Sequence, residues 1–300
     1  MPQSLMPELQ TWYQQGHFRT CRSHQIFYGM QGAGPNLVLI HGFPTSAWDW
    51  HKVIPALAEE HRVIYLDLPG FGLSDKPRED YPIIEQADRV IDLLQHLGVF
   101  DAHILAHDYG ATVAQELLAR REEDTSPIRW HSCTILNAGL FPEAHRPLRI
   151  QTLLASPLGP FIAPMIGKDT FQRSMASIWG EAPVAIEELE AMWQLLQWDD
   201  GKSTIPYLIK YMEQRVTNRE RWVGALMQTE VPLLLIDGLA DPISGQSLVD
   251  RFTELCPQGK IVALEGVGHY PQLEAPEAVI DAWRAFEAEL PALIPGEPVP

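Results

Sequence analysis

Three residues, Asp108, Asp241 and His269, have the types and surroundings for covalent chemistry. Asp108 is the centre of Ala106-His107-Asp108-Tyr109-Gly110. That string follows an apolar strand-like run (residues 102–106) and leads into a helix-like run (residues 111–121). Small residues two places to either side suit the strained strand-to-helix turn that lifts a nucleophile above a sheet. Serine is common at the centre of such a turn, and the exchange changes which atom can be attacked. A carboxylate attacking an acyl carbon would give an anhydride. At a saturated carbon it gives an alkyl ester that water can cleave. Asp108 therefore points to epoxides or carbon–halogen bonds, and away from ordinary esterase or peptidase work.

A lone aspartate before a helix is more simply an N-cap, so a catalytic role needs partners elsewhere in the chain. Residues 233–242 read as a buried strand running into a loop, with Asp241 just before Pro242. Residues 261–269 read as a strand, a glycine-rich turn and His269. The positive end of the helix after Asp108 favours its ionised form. His269 would activate the water that attacks the ester carbonyl carbon, and Asp241 would orient the imidazole. Asp237, at the strand end itself, is the rival acid; the loop position favours Asp241. Two backbone N–H groups are expected to form an oxyanion hole, one from Tyr109 and one from Phe43 in His41-Gly42-Phe43-Pro44.

These residues need a sheet to bring them together. Short β-rich runs at residues 37–40, 63–67, 103–106, 133–136, 233–237 and 261–264 alternate with helical patterns at residues 53–60 and 84–97, the pattern of a parallel α/β sheet. Residues 19–30 read as an antiparallel edge hairpin. Between about 143 and 223 strands give way to helical patterns at 171–179, 186–196 and 205–215, the signature of an inserted cap that would roof the pocket. The expected division is a core over residues 1–142 and 224–290, a helical cap over 143–223, and a flexible tail over 291–300.

The 300 residues carry a formal charge of −17, which disfavours nucleic acid and anionic membrane surfaces as partners. Cys21, Cys133 and Cys256 form no C-x-x-C and read as reduced structural thiols. No apolar run is long enough for a membrane span, and the N-terminus lacks a signal-peptide pattern. A cytoplasmic protein is expected. His17, Cys21 and His24 are too few and too spread for a metal site. Pro69-Gly70-Phe71-Gly72 lacks the third glycine of a dinucleotide site, and Asp199-Asp200-Gly201 reads as a turn. No cofactor or metal is expected.

Together, His41-Gly-Phe-Pro44, Asp67-Leu-Pro-Gly-Phe-Gly-Leu-Ser-Asp75, His107-Asp-Tyr-Gly110 and Gly268-His-Tyr-Pro271 resemble the α/β-hydrolase superfamily in its epoxide hydrolase and haloalkane dehalogenase branch. The order nucleophile, acid, histidine is that superfamily's order. Strings such as Val113-Ala-Gln-Glu-Leu-Leu118, Arg221-Trp-Val-Gly-Ala-Leu226 and His269-Tyr-Pro-Gln-Leu-Glu274 are similar to its mesoderm-specific transcript subgroup. The resemblance implies an α/β-hydrolase fold: a mostly parallel central sheet flanked by helices, with an inserted helical cap.

The departures from the family pattern bear on the substrate. Dehalogenases of this branch usually hold halide with a Trp after the nucleophile and an Asn or second Trp. Tyr109 and Phe43 stand at two of these places, leaving cap residues such as Trp179 or Trp193 to contribute. Epoxide hydrolases usually protonate the leaving oxygen with cap tyrosines, one of them after a late Trp. Here Val223 follows Trp222. Tyr207 and Tyr211, four apart on a helical run and so on one face, are the candidate donors; Tyr109 could also turn its hydroxyl inward. The expected function is epoxide hydrolysis of a small apolar electrophile, with water as co-substrate. Dehalogenation by the same two steps and a non-catalytic ligand-binding protein are the alternatives. A serine esterase would need a nucleophilic serine, and Ser46 is not on an elbow.

Overall fold

Eight strands form one sheet in the computed structural model, which describes residues 5–291. They are β1 (His17–Cys21), β2 (His24–Gln31), β3 (Asn36–Ile40), β4 (Arg62–Leu66), β5 (Asp101–His107), β6 (Arg129–Leu136), β7 (Leu233–Gly238) and β8 (Lys260–Leu264). The order across the sheet is β1-β2-β4-β3-β5-β6-β7-β8. β1 and β2 are the antiparallel hairpin read at residues 19–30; all pairings from β4 to β8 are parallel. β7 is buried at every residue, as a parallel strand covered on both faces must be. The expected tail, beyond residue 291, lies outside the described residues.

Helices cover the sheet. α1 (Pro7–Gln15) precedes the hairpin and was not legible as a helix; its Trp12 stacks on Tyr65 of β4 with centroids 4.4 Å apart. α2 (Ile54–Leu57) is a single turn where a helix over 53–60 is predicted, and α3 (Ile83–His96) matches its pattern. Gly98 takes the positive φ of a helix-terminating glycine, +68°. α4 (Tyr109–Glu122) is buried along most of its length.

Between β6 and β7 run α5 (Arg149–Leu154), α6 (Gly159–Ile162), α7 (Lys168–Ala176), α8 (Ile186–Gln197), α9 (Ile205–Leu208), α10 (Tyr211–Thr217) and α11 (Arg219–Gln228), with no strand among them. The pattern over 205–215 predicts one helix, but the chain breaks between α9 and α10, and the shared face assumed for Tyr207 and Tyr211 breaks with it. α11 runs through residue 223 and is tied to α4: Arg221 Nε and Trp222 Nε1 donate to the buried Glu116 at 2.7 and 2.8 Å. α12 (Gly245–Leu255), α13 (Pro271–Glu274) and α14 (Pro276–Glu287) complete the fold.

All three cysteines are free and buried, and burial pushes each thiol up to about 12. No metal-holding cluster exists among the described residues, and no helix among them is long and apolar enough to cross a membrane. Asp199 and Asp200 form a left-handed turn, with Asp200 bonded to Arg78 at 2.7 Å.

A close approach that matters for the site lies where α4 meets the end of β3. A Cβ on Gly110 would sit 2.4 Å from the Ile40 carbonyl oxygen and 2.7 Å from that of His41. Gly110→Ala is therefore expected to lower stability by about 1–3 kcal/mol in denaturant titration, and an unchanged midpoint would contradict this packing.

Candidate active site

Asp108 ends the turn between β5 and α4 with φ 43° and ψ −103°, a strained backbone for a non-glycine residue. It occupies the N-cap position of α4, yet its side chain caps nothing. Instead Asp108 Oδ2 accepts the Phe43 N–H at 3.1 Å. The sheet order explains the meeting. From β3 the chain moves outward to β4 on one side and returns to β5 on the other, so β3 and β5 flank the crevice where ligands bind in such sheets. Ile40 pairs with Ala106, placing the exits of both strands side by side. His41 fixes its loop through a Nδ1–H bond to Gly42 O (2.8 Å) and by accepting Leu68 N–H at Nε2 (3.1 Å). The other expected oxyanion donor, the Tyr109 N–H, is the first amide of α4 and has no carbonyl four residues back inside that helix.

His269 Nδ1 is 2.7 Å from Asp241 Oδ2, and both residues are buried. Asp241 is held from several sides: by Asn137 Nδ2 at 3.0 Å, Ile243 N at 2.8 Å, Ser244 N at 3.2 Å and the Ser244 hydroxyl. Burial opposes its charge, but His269 and these donors hold its carboxyl far below the ordinary range. Asp237 contrasts sharply. Neither of its oxygens has a partner among the described residues, and burial, reinforced by the Asp241 charge, pushes it up to about 8. The imidazole thus meets Asp241 and not its rival.

Glu274 clamps the turn that carries His269, a role its position in the sequence did not signal. Its carboxylate accepts Gly268 N (2.9 Å), Tyr270 N (2.9 Å) and, from the cap, Gly180 N (2.7 Å). The His269 N–H donates to Ile178 O at 2.8 Å, also in the cap. His107 Nε2 donates to the His269 carbonyl at 2.7 Å, and burial pulls His107 down to about 3, so it stays neutral.

A second unanticipated residue is Arg215 on α10, only 2% exposed. Its Nε donates to Thr112 Oγ1 (2.7 Å). Its Nη2 donates to the Asp108 carbonyl (3.0 Å) and lies 3.4 Å from Asp108 Oδ1. The signal available in the sequence was its place four residues after Tyr211. Burial opposes ionisation of Asp108, but Arg215, His269 and the Phe43 N–H together hold its carboxyl below the ordinary value. Burial pulls His269 the other way, yet Asp241, followed by Asp108, raises it to about 9.

The candidate hydroxyls separate. Tyr211 is fully buried, its ring against Phe43 (5.8 Å), Tyr109 (5.0 Å) and the Arg215 guanidinium (4.4 Å). Its hydroxyl has no partner in hydrogen-bonding geometry among the described residues. Tyr207 is only half-buried, with Lys210 Nζ 5.7 Å from its ring, and takes no part in this cluster. The Tyr109 hydroxyl, read as able to turn inward, instead meets Gln86 of α3 at 3.4 Å.

An apolar cavity with about 680 Å³ of free space, its open mouth included, lies between cap and core. Its walls include Phe43, Pro44, Phe171, Met175, Ile178 and His269. Trp179 stacks on Tyr270 (5.5 Å) and Trp193 packs on Phe171 (5.5 Å); neither lines the cavity.

Comparison with known proteins agrees with this architecture. The mesoderm-specific transcript protein of Mus musculus is 40% identical over 299 residues, covering 95% of this chain and 89% of the relative. Epoxide hydrolase CorEH superposes with a TM-score of 0.75 at 21% identity, over 91% of this chain and 98% of that one. The haloalkane dehalogenase DatA of Agrobacterium tumefaciens C58 superposes equally well, at 0.75 and 20% identity, over 91% and 96% of the two chains. A family model described as the alpha/beta hydrolase fold matches residues 35–276, and with that match the chain belongs to the α/β-hydrolase fold family.

Proposed function

We propose that this hydrolase uses Asp108 as a nucleophile and opens epoxides to vicinal diols through a covalent alkyl ester. The observation that carries the reading is the Asp108 carboxylate itself. It is buried at the crevice, favoured in its ionised form, and bonded through Oδ2 to Phe43 N–H, which leaves Oδ1 for attack. In the second step water adds to the ester carbon, His269 takes its proton, and the negative charge develops on Oδ2, the ester carbonyl oxygen, at the Phe43 and Tyr109 amides. Asp241 holds the imidazole in the tautomer that presents Nε2 to that water.

The charges make the two steps sequential. While Asp108 is ionised it helps keep His269 protonated, with a pKa of about 9. Esterification removes that negative charge, so the histidine releases its proton more readily and becomes a base when one is needed. The buried Tyr211 hydroxyl close to Asp108 favours an oxygen leaving group, since a hydroxyl can protonate an alkoxide. The apolar walls suit a small apolar electrophile. Dehalogenation by the same two steps is the second reading, as Asp108 would serve it equally well.

A panel of epoxides and haloalkanes should yield diol without halide, while halide without diol would reassign the substrate. His269→Gln should accumulate an alkyl ester on Asp108, visible as an intact-mass adduct. If every electrophile fails to form one, the chain is a binding protein on a hydrolase scaffold. Asp241→Asn is expected to slow ester hydrolysis by about 10²- to 10⁴-fold. Asp237→Asn replaces a carboxyl that is mostly neutral at pH 7 and should leave turnover close to the parent's; the opposite ranking would make Asp237 the acid. Hydrolysis of the ester, followed by rapid quench, should accelerate with rising pH and reach its plateau below pH 9, because His269 must be neutral to act. A rate that falls with rising pH would remove His269 from the role of base.

A further inference from the structure

Arg215 helps to keep Asp108 ionised, but the two steps above give it no part in the bond that breaks. Its guanidinium is planar and doubly anchored: Nε on Thr112 and Nη2 on the Asp108 carbonyl, both in the first turn of α4. Those two bonds fix the plane and hence the direction of the third nitrogen. Nη1 is buried and has no partner among the described residues. The 3.4 Å contact from Nη2 to Oδ1 is longer than a charge-assisted hydrogen bond, so the nucleophile does not absorb the fork.

The surroundings leave this buried nitrogen without a competing partner. Opposite it stands Gly139, where a Cβ would come within 2.3 Å of Nη1. His145 is adjacent, and burial together with the Arg215 charge pulls it down to about 4, so it adds no competing positive charge. The guanidinium lies over the ring of Tyr211, whose hydroxyl is likewise buried without a partner. Two unsatisfied donors of different kinds therefore lie together beside Asp108. A buried donor without a partner carries a desolvation penalty that a substrate atom can remove.

The geometry points to Arg215 Nη1 and Tyr211 Oη as the pair that receives the leaving oxygen of the substrate. This assignment rests on Asp108 being the nucleophile. As Asp108 Oδ1 bonds to the oxirane carbon, the carbon–oxygen bond of the ring breaks and its electron pair stays on the oxygen. Tyr211 gives that oxygen its proton. Arginine keeps its protons near neutral pH, so Arg215 contributes charge, stabilising first the alkoxide and then the tyrosinate. After water has cleaved the ester, the alkoxide of the diol takes the proton held by His269. The carboxylic acid formed at Asp108 returns its proton to the tyrosinate, and the cycle closes with one epoxide and one water consumed. Arg215 thus fills the second donor place that Val223 leaves open.

The test is single-turnover alkylation in the His269→Gln protein, followed by intact mass, with an epoxide and with an alkyl iodide. Arg215→Met should slow alkylation by the epoxide about 10²-fold or more, with a much smaller loss for the iodide, whose leaving ion is a very weak base. Arg215→Lys keeps the charge without the fork and should fall between, again with the epoxide hit harder, so the test survives if the Met variant does not fold. Equal losses with both electrophiles would make Arg215 merely a positioning residue for Asp108, and no loss would deny it any role; either overturns the assignment. If no adduct forms while Arg215 is intact, the reading of Asp108 itself fails, a distinguishable result.

Discussion

A negative charge buried at the end of β5 is the constraint that the rest of the site answers. Taking a carboxylate out of water costs several kcal/mol, and only opposite charges and donors at short range offset it. Around Asp108 the charges alternate: Arg215 positive, Asp108 negative, His269 positive at neutral pH, Asp241 negative. The four sum to zero. Asp237, which would spoil the balance as a second anion near Asp241, is mostly protonated at pH 7. Neutral His107 and His145 complete a site in which each charge has a counterpart.

Such a chain of charges also has a direction. On the proposed reading, alkylation of Asp108 removes one of the anions that hold the His269 proton and leaves Arg215 facing the departing oxygen. The scaffold keeps this exchange rigid. The left-handed turn at Asp108, the Glu274 clamp on the His269 turn and the five donors converging on Asp241 allow little room for the groups to relax. Preorganisation of this kind lets a charge change at one atom be felt as a pKa change at the next.

What could be read beforehand depends on the range of the forces involved. β5, its turn and α4 are encoded by neighbours, so the strand period, the small residues around Asp108 and the helix after it were visible in the chain. The choice of Asp241 over Asp237 was legible only as a matter of loop position; physically it depends on Asn137, Ser244 and Ile243, which arrive from two strand ends. The pairing of Tyr207 with Tyr211 failed because the helical period was extended across a break that the local sequence does not announce. Arg215 was passed over for a related reason. Its place four residues after Tyr211 is the only local hint, and its partners Thr112 and Asp108 are 103 and 107 residues away.

That distance assigns a function to the cap beyond roofing a cavity. The positive partner of Asp108 comes from α10, and the backbone that seats His269 and Glu274 comes from residues 178–180, so both ends of the charge chain depend on the cap being docked. Glu116 of α4 secures that docking by holding Arg221 of α11, and Glu143 joins Arg219 of α11 to Arg251 of α12. Burial alone raises a carboxyl's pKa. With the cap docked, the cation supplied by α10 offsets the burial that opposes ionisation of Asp108. The same helix that shields the site thus completes its electrostatics.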